Sequence, residues 1–476
     1  MALSRENIRT RPLEKSAEEL KCGTVFWVSR WNVCISADIM HRMEMKKKPM
    51  NYYLNYSGGK INFSLPPEWN VLSSQDCAKA PVIEDTAKDV ERALDNPIGA
   101  LPLEQLARSG MKAVILFDDI QRATPSPIAI PAIANRLNKA GVSDERITAI
   151  CARGTHPSLS PEQIEKKVGK EMLQRLQGRI HIHDAQSPEN VFIGKTRRGT
   201  PVEINKYVAE ADLVIGIGTC IPHPYAGFGG GCKIFMPGVS SYRTIGEHHY
   251  GWLRNKSCKL NVLEGNPWYD ETVEIARMGG LTYKVDFLLN ETAQVIRAFA
   301  GDPVEAHRQA SEHAASLYKV PLPKPADVVI TSAAPLEIGV QATKALLNAR
   351  LAVRTGGTII WVAAQKQAGP LMALIEQMAA AKSANEYHRR LLKGDIPDSI
   401  KSFGISFFML GVPFKELSEQ YNVIHVTEGL TQEQVQLMNF EYAASIDAAI
   451  QQVQKSMPKA DVTILPSGGT IIPCIQ

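Results

Sequence analysis

The stretch AVILFDDIQRATP, residues 113–125, decides the fold class of this chain. An apolar run, Ala113 to Phe117, is followed at once by two aspartates and an arginine, and Pro125 precedes an amphipathic segment. A short apolar run of this kind predicts a buried strand that ends in a polar loop. In sheets of parallel strands such loops gather at one edge, and ligands bind there.

Similar apolar runs recur along the chain, at residues 147–152, 213–217, 328–331 and 358–363. Amphipathic segments such as residues 127–140 lie between them and predict crossover helices. Strands that alternate with helices are typical of α/β proteins with largely parallel sheets. We therefore predict an α/β fold with two α/β domains and an active site in the cleft between them.

The chain of 476 residues is long enough for about two or three domains. Residues 320–325 are rich in proline and predict a boundary. We expect an N-terminal cofactor and catalytic domain over residues 50–317. A C-terminal α/β domain over residues 318–476 is expected to contribute substrate-binding residues.

The first part of the chain has a different character. Residues 1–49 end in three lysines and a proline, and we expect them to be an N-terminal extension that need not belong to the native fold, with Met50 as a second possible start. Residues 51–65 then alternate apolar and polar side chains around the turn signal SGGK, which predicts a hairpin.

The composition is that of an ordinary soluble protein, with 44% hydrophobic and 21% charged residues. The formal net charge of +4 comes from 53 basic and 49 acidic residues spread along the sequence, so neither nucleic acid nor a membrane surface is expected as a partner. The eight cysteines form no C-x-x-C pair and are expected to be reduced thiols. With no apolar signal segment near the start, we predict a cytoplasmic protein.

Polar segments directly follow the first two predicted strands. The first contains Asp118, Asp119 and Arg122, and the arginine can bind a carboxylate or phosphate by a two-point contact. An N-capping aspartate and a surface ion pair explain this segment equally well. The second, RGTHP, presents His156, a residue type that can accept and return a proton near neutral pH. A simple hydrogen-bonding role is the alternative for this histidine.

The third predicted strand leads into GIGTCIPHPYAGFGGGCK, residues 216–233. Ordering so many glycines costs backbone entropy, so such a loop usually allows the close approach of a ligand, often a phosphate. The spacing is not that of a Walker A motif, because Ile234 follows Lys233 where serine or threonine would stand. A flexible linker is the alternative, and Phe228 within the loop argues against it.

Downstream of this loop stands a histidine pair, His248 and His249. With the histidines and the lysine already noted, the pair indicates a metal site. A structural zinc site would need four close ligands at characteristic spacings, and the cysteines are wrongly placed for it. A catalytic metal held by one or two histidines remains as the interpretation.

The motifs DDxxRxTP, GTH, PHxxAGFxGGxK and a later histidine occur in the order found in the nickel-pincer lactate racemase family. The chain resembles that family from about Asn51 through its C-terminal region. The glycine–lysine segment and the order of the histidines are together much more specific than any single motif.

The resemblance implies a nickel-pincer nucleotide of the pyridinium-3,5-bisthiocarboxylic acid mononucleotide type, attached covalently to Lys233. His249 matches the histidine that completes the nickel coordination, and imidazole with thio-ligands suits this metal. His248 is a less suitable ligand by spacing. The residues expected to bind the cofactor are Lys233, Asp118, Asp119, Gly229, Gly230 and Gly231.

By the same resemblance His156 and His223 match two catalytic histidines on opposite sides of the substrate's C2. One takes the hydroxyl proton while the cofactor takes hydride from C2, and the flat keto acid then receives hydride on either face. Arg122, Gln341 and Lys344 are expected to hold the substrate, the last two from one face of a helix. An exposed amphipathic turn is the alternative for that helix.

Two departures from the family bear on the substrate rather than on the reaction. Gly229 stands where the family usually has serine, and FGISFF, residues 403–408, lacks the active-site tryptophan of lactate racemase. We predict a racemase or epimerase of lactate or a related 2-hydroxy acid. Malate, aryl-substituted hydroxy acids and sugar acids are further candidates.

Two other functions stay open. A nicotinamide-type oxidoreductase of hydroxy acids would need a dinucleotide fingerprint, but Gly216 and Gly218 are not followed by a third glycine at the required place. An inactive cofactor carrier or sensor would have lost a catalytic histidine, whereas both are present. The expected partners are a small 2-hydroxy acid and, transiently, the enzymes that make the cofactor.

Overall fold

The computed structural model describes residues 51–290, 292–337, 339–365 and 369–476. The strands in these ranges are β1 (Asn51–Tyr56), β2 (Gly59–Ser64), β3 (Asn70–Ser74), β4 (Ala113–Phe117), β5 (Ile147–Cys151), β6 (Ile180–Ile182), β7 (Val191–Lys195), β8 (Pro201–Ile204), β9 (Leu213–Thr219), β10 (Pro222–His223), β11 (Gly227–Phe228), β12 (Leu281–Leu289), β13 (Val295–Gly301), β14 (Lys319–Leu322), β15 (Ala326–Ser332), β16 (Val353–Val362), β17 (Asn422–Val426), β18 (Glu441–Ala443), β19 (Asp461–Leu465) and β20 (Ile472–Ile475).

The α-helices in the same ranges are α1 (Thr86–Asp95), α2 (Leu103–Leu106), α3 (Ser126–Lys139), α4 (Pro161–Val168), α5 (Lys170–Arg175), α6 (Lys206–Ala209), α7 (Tyr242–Trp252), α8 (Pro267–Met278), α9 (Glu305–Tyr318), α10 (Thr343–Ala349), α11 (Gly369–Ala379), α12 (Ala384–Leu392), α13 (Ile405–Phe408), α14 (Gly411–Gln420), α15 (Gln432–Gln436) and α16 (Ile446–Ser456). Short 3-10 helices cover Asp144–Arg146, Gly231–Ile234, Gly339–Ala342 and Asp398–Phe403. The predicted extension, residues 1–49, and Met50 lie outside the described residues.

The first large sheet has the strand order β13-β12-β9-β4-β5-β6, and only β12 and β13 pair in antiparallel fashion. Strand β4 is buried at every position. Val114 and Leu116 contribute to one hydrophobic core, and their neighbours Ala113, Ile115 and Phe117 contribute to the core on the other face. Burial on both faces explains why this strand is apolar throughout rather than alternating.

The second large sheet has the order β18-β17-β16-β15-β19-β3 and is parallel throughout. Its last strand, β3, comes from the N-terminal end of the described chain and pairs with β19. The predicted domain division between residues 317 and 318 remains a prediction. By its strand pairing, β3 belongs with the C-terminal half of the chain. Its short and partly polar sequence, NVLSS, did not predict this pairing.

The predicted α/β fold class, with largely parallel sheets, is confirmed by these two sheets. Each of the five predicted strands is present, and the predicted helix over residues 127–140 is α3. The hairpin expected over residues 51–65 is the antiparallel pair β1 and β2. The largest difference in bounds is at β16, which begins at Val353 rather than at residue 358.

The strand order reverses between β4 and β9 in the first sheet. From β4 the chain proceeds to β5 and β6 on one side, whereas β9, β12 and β13 lie on the other side. The chain segments that follow β4 and β9 therefore leave in opposite directions. They open a crevice beyond the carboxyl ends of these two strands, where open α/β sheets bind ligands.

None of the helices in the described ranges combines the length and the apolar character needed to span a membrane. The cysteines in these ranges form no disulfide with one another; they are Cys77, Cys151, Cys220, Cys232, Cys258 and Cys474. This agrees with the prediction of reduced cysteines, while Cys22 and Cys34 lie outside the described residues.

Candidate active site

A cavity lies at the carboxyl ends of β4 and β9 and reaches residues of α10 and α13 from the C-terminal half. Of the predicted site residues, those that line it are Asp118, Asp119, Arg122, His156, His223, Gly229, Gly230, Lys233, His249, Gln341 and Lys344. The fold thus gathers into one cavity residues that are far apart in the sequence. The roles assigned to them remain predictions.

Gly231 is the predicted site residue that does not line the cavity. It begins the 3-10 helix Gly231–Ile234, and its N–H donates to Oδ2 of Asp286 at 2.8 Å. A Cβ at this position would lie 2.5 Å from Cγ of His307. The absence of a side chain here allows close packing within the protein rather than the approach of a ligand.

Asp118 is held by neighbouring protein groups. Nζ of Lys167, on α4, donates to Oδ1 of Asp118 at 2.7 Å, and the Thr124 hydroxyl donates to Oδ2. The same ammonium group donates to the carbonyl of Arg122 at 3.2 Å. Lys167 was not identified from the sequence, and it fixes the loop that carries Arg122.

Asp119 orients His156. Oδ2 of Asp119 lies 2.6 Å from Nδ1 of His156, and Oδ1 accepts from the N–H of Gln121 at 2.8 Å. Burial tends to raise the pKa of Asp119, but the charge and hydrogen bond of His156 and the charge of Arg122 outweigh it and lower the pKa to about 2. A carboxylate only accepts hydrogen bonds, so Nδ1 of His156 carries a proton, and Nε2 is the nitrogen left for a substrate.

His223 has the opposite hydrogen-bond pattern. Its Nδ1 accepts from the N–H groups of Tyr225, at 3.3 Å, and Ala226, at 3.0 Å. The neutral ring therefore carries its proton on Nε2. Burial, reinforced by the charges of Lys233 and Lys344, holds the pKa of His223 well below its ordinary value, so the ring is neutral near pH 7.

Lys233 is presented to the cavity by the 3-10 helix Gly231–Ile234. Burial, together with the charge of Arg122, lowers the pKa of its amine from 10.5 to about 7. Among the residues that the structure describes, none gives this amine a hydrogen bond or an ion pair. An uncharged, unpaired amine is a nucleophile, which is the property that covalent attachment of a cofactor requires.

His249 lines the cavity from α7, with its ring centroid 4.5 Å from that of Trp268. His248 does not line the cavity, and its Nε2 lies 3.0 Å from the Trp268 carbonyl. The described ranges contain no group of three or more His, Cys, Asp or Glu side chains arranged to hold a metal ion. A metal at His249 would therefore need ligands beyond a cluster of these side chains.

Gln341 and Lys344 enter the cavity from the C-terminal half. Nε2 of Gln341 donates to Oε1 of Gln121 at 3.3 Å, which links the two halves of the chain. Nζ of Lys344 is buried without a hydrogen-bond partner among the described residues. Burial and the charges of Arg122 and Lys233 hold its pKa well below the ordinary value. Three basic side chains thus surround a space whose carboxylates are already paired, which suits an anionic ligand.

Several lining residues were missed by the sequence reasoning: Thr155, Thr219, Tyr225, Trp268, Leu347, Ser406, Met409 and Leu410. Ser406 lies in the segment already noted for its missing tryptophan. For Trp268 no sequence signal was available, because it starts a separate helix and reaches the site by stacking its ring on that of Tyr225, at 5.4 Å between centroids.

The glycines that invited comparison with a dinucleotide fingerprint serve internal packing. A Cβ at Gly216 would lie 2.5 Å from Cγ2 of Ile234 and 3.0 Å from Cδ of Lys284. A Cβ at Gly218 would lie 3.0 Å from Nζ of Lys284, which is paired with Asp286 at 2.6 Å. These glycines make room for the protein's own side chains, and this favours neither a pyrophosphate nor a nicotinamide cofactor.

Two family models match the chain. The model described as "Lactate racemase N-terminal domain" matches residues 56–260, and the model described as "Lactate racemase C-terminal domain" matches residues 322–473. A lactate racemase of Lactiplantibacillus plantarum is 30% identical over 392 residues, which is 80% of this chain and 90% of the relative. A lactate racemase of Thermoanaerobacterium thermosaccharolyticum is 31% identical over 318 residues, 65% of this chain and 73% of the relative.

Solved structures agree with these matches. The lactate racemase apoprotein from Thermoanaerobacterium thermosaccharolyticum superposes with a TM-score of 0.77 at 26% identity, covering 89% of this chain and all of that one (100%). A structural-genomics protein from Thermotoga maritima superposes with a TM-score of 0.60 at 18% identity, covering 84% of this chain and 100% of that chain. The second similarity concerns the fold alone.

Proposed function

Because this chain belongs to the lactate racemase family, and with it to the isomerases, we propose that it racemises or epimerises lactate or a related 2-hydroxy acid with a nickel-pincer nucleotide attached to Lys233. The observation that carries the proposal is the shared cavity. It combines an unpaired lysine of lowered pKa, a histidine suited to a metal and two differently hydrogen-bonded histidines.

The residues present fit such a cofactor. Lys233 would hold it covalently, His249 would supply a nickel ligand, and Gly229 and Gly230 contribute backbone to the cavity wall. When bound, the group would accept hydride from C2 of the substrate and return it. A ligand that brings its own metal donors also agrees with the lack of a metal cluster among the described side chains.

The two histidines are the groups proposed to handle the hydroxyl proton. His156, held through Nδ1 by Asp119, offers an unprotonated Nε2 in its neutral form and is set to accept that proton. His223 offers an N–H to the substrate oxygen, since its Nδ1 is occupied by backbone donors. Racemisation needs both groups because the two enantiomers present opposite faces of C2.

Substrate binding is proposed to depend on charge. The carboxylate of a 2-hydroxy acid would bind to Arg122 and Lys344, and Gln341 would add an amide donor. Burial of a carboxylate next to Lys344 would give that amine the partner that it lacks in the described structure. Leu347, Met409 and Leu410 form an apolar part of the cavity wall, which suits the substrate's side chain.

The test uses protein produced together with the cofactor-making enzymes, which remain predicted transient partners. Intact and peptide mass spectra should show an adduct on the peptide that contains Lys233, with bound nickel by elemental analysis. Either enantiomer of lactate should then be converted to a mixture, as followed by chiral chromatography. His156→Gln and His223→Gln should keep the adduct and lose about 10²- to 10⁴-fold in rate.

The outcomes separate the parts of the proposal. An unmodified Lys233 in nickel-supplied, cofactor-matured protein would overturn the cofactor assignment. An adduct without turnover of lactate, but with turnover of malate or an aryl-substituted hydroxy acid, would retain the reaction and change the substrate. An adduct with no turnover of any 2-hydroxy acid would favour a carrier or sensor.

A further inference from the structure

A pair of adjacent buried histidines lies at the inner end of the proposed nickel site. His248 and His249 are neighbours on α7, and Nδ1 of one lies 3.3 Å from Nδ1 of the other. His249 lines the cavity, whereas His248 is completely buried behind it. Two imidazole nitrogens at this distance share a hydrogen bond only if one of them carries a proton and the other does not.

The partners of the other nitrogen of His248 decide where its proton lies. Nε2 of His248 is 3.0 Å from the carbonyl oxygen of Trp268 and 3.3 Å from the hydroxyl of Thr272. That hydroxyl donates its own proton to the same carbonyl, at 2.9 Å. Both neighbours are therefore acceptors, and Nε2 of His248 must be the protonated nitrogen.

The protonation of His249 follows. A buried imidazole without a carboxylate in its hydrogen-bond shell is neutral, so His248 has a lone pair on Nδ1 that accepts from Nδ1–H of His249. Nε2 of His249 is then left as a bare lone pair, which is the form that binds a metal.

We propose that His248 is a positioning residue that locks His249 in its Nδ1–H tautomer through the hydrogen-bond chain Trp268 carbonyl, His248, His249, so that Nε2 of His249 is available to a divalent metal ion. Metal-binding histidines are commonly oriented by a hydrogen bond from the second ring nitrogen, and removing that partner typically weakens metal affinity about 10- to 100-fold. The proposed metal is the nickel of the preceding section, so the inference rests on the proposed function only for the identity of that metal.

The first test needs no cofactor. The full-length apoprotein is labelled with ¹⁵N in its 11 histidines, and long-range ¹H–¹⁵N correlations are recorded at about pH 7.5. The signals of His248 and His249 are assigned by their loss in His248→Leu and His249→Gln. We expect the Nε2–H pattern for His248 and the Nδ1–H pattern for His249. An Nε2–H pattern for His249 would overturn the inference.

The second test measures metal retention in cofactor-matured protein with three variants. His248→Leu removes the acceptor, His248→Asn places an amide oxygen near the position of Nδ1, and His183→Leu removes an equally buried histidine whose Nε2 contacts the Ser240 carbonyl at 2.9 Å. Nickel loss to a chelator should be at least about ten-fold faster in His248→Leu than in wild type. His248→Asn should restore most of the retention, and His183→Leu should retain nickel like wild type.

The adduct mass on Lys233 is measured in the same samples. It distinguishes failure of the proposed function from failure of the role proposed for His248. Absence of the adduct from wild type would contradict the proposed function, and the tautomer measurement would still stand. A normal adduct with equal nickel retention in His248→Leu and wild type would contradict the role of His248. If His183→Leu loses nickel as fast as His248→Leu does, the effect is general destabilisation of the protein, and the proposal is overturned.

Discussion

Lys233 faces the cavity as an amine that is about half uncharged at pH 7. Burial removes water from the ammonium form, and the positive charge of Arg122 disfavours it further, which together lower the pKa to about 7. An ordinary lysine side chain, with a pKa near 10.4, is almost fully charged at the same pH. The lysine is thus activated by its surroundings and not by a neighbouring base.

This activation predicts selective acylation of the apoprotein. With limiting acetic anhydride at about pH 7.5, the Lys233 peptide should be modified about ten-fold faster or more than the peptide containing the exposed Lys170. Because the pKa is lowered, the rate at Lys233 should fall as the pH drops below about 7. Peptide mass spectrometry measures both rates. Equal rates would contradict the lowered pKa.

Asp119 is expected to act through His156. Asp119→Asn keeps the shape of the side chain but removes the charge that holds Nδ1–H of His156, so the ring can adopt the wrong tautomer. We expect a loss of about 10²-fold in kcat with an unchanged adduct on Lys233. The matched comparison is His156→Gln. The double variant should lose no more kcat than the less active of the two single variants, because the two residues act as one unit.

The same carboxylate predicts a pH dependence of stability. The folded-state pKa of Asp119, about 2, is below its ordinary value of 3.8, so the ionised form contributes stability above about pH 4 and loses it as the pH falls through 2. The contribution is roughly 2 kcal/mol at neutral pH. The difference in thermal midpoint between wild type and Asp119→Asn should therefore shrink between pH 6 and pH 3. A difference in thermal midpoint that stays constant over this pH range would contradict the lowered pKa of Asp119.

At the scale of elements, β9 and the 3-10 helix after it are fitted together by glycine. Gly216 lies against Ile234, the residue after Lys233, and Gly231 donates to the fully buried Asp286 on the neighbouring strand. Asp286 is in turn paired with the fully buried Lys284 at 2.6 Å. The helix that presents the lysine is therefore set by packing on the sheet beneath it.

Gly216→Ala tests this packing. The added Cβ would lie 2.5 Å from Cγ2 of Ile234, so the 3-10 helix must shift, and we expect a destabilisation of about 1–3 kcal/mol with a smaller fraction of Lys233 modified. The control is Gly59→Ala, where the nearest atom to the new Cβ is at 3.7 Å. Chemical unfolding and intact mass give the two readouts. If Gly216→Ala is clearly destabilised but Lys233 is still modified as in wild type, the packing of Gly216 matters for stability and not for the presentation of Lys233.

At the scale of the whole molecule, the cavity depends on the approach of the two halves of the chain. Nε2–H of His388 donates to the carbonyl of Tyr250 at 2.7 Å, and Nε of Arg254 pairs with Glu416 at 3.0 Å. Gly404 comes close to Thr155, and a Cβ there would lie 2.8 Å from the Thr155 hydroxyl oxygen. This contact is adjacent in sequence to His156.

Gly404→Ala should therefore disturb the cleft beside His156. We expect KM for the hydroxy acid to rise about ten-fold or more, with little change in the fraction of Lys233 modified, because Lys233, the proposed attachment site, lies in the N-terminal half. Gly394→Ala is the matched control, since both glycines have a positive φ, +90° and +68°, but no atom lies within 4 Å of the new Cβ at Gly394. An equal rise in KM for both variants would assign the effect to backbone strain.

The sequence by itself determined the fold class and predicted many of the residues that line the cavity. Continuous apolar runs such as Ala113–Phe117 are a local property, and a strand buried on both faces requires them. The residues after these runs were placed at one sheet edge because parallel strands end there together. Eleven of the predicted residues, from Asp118 to Lys344, do line one cavity, whereas Gly231 does not.

Only the tertiary structure decided which partner each polar group meets. Lys167 reaches Asp118, the Trp268 ring packs at an angle against His249, and β3 crosses to the second sheet through contacts between distant segments of the chain. The lowered pKa of Lys233 and the tautomers of His223 and His249 depend on burial and on donors placed a few ångströms away. Such distances are fixed by packing of the whole chain, and no local sequence pattern encodes them.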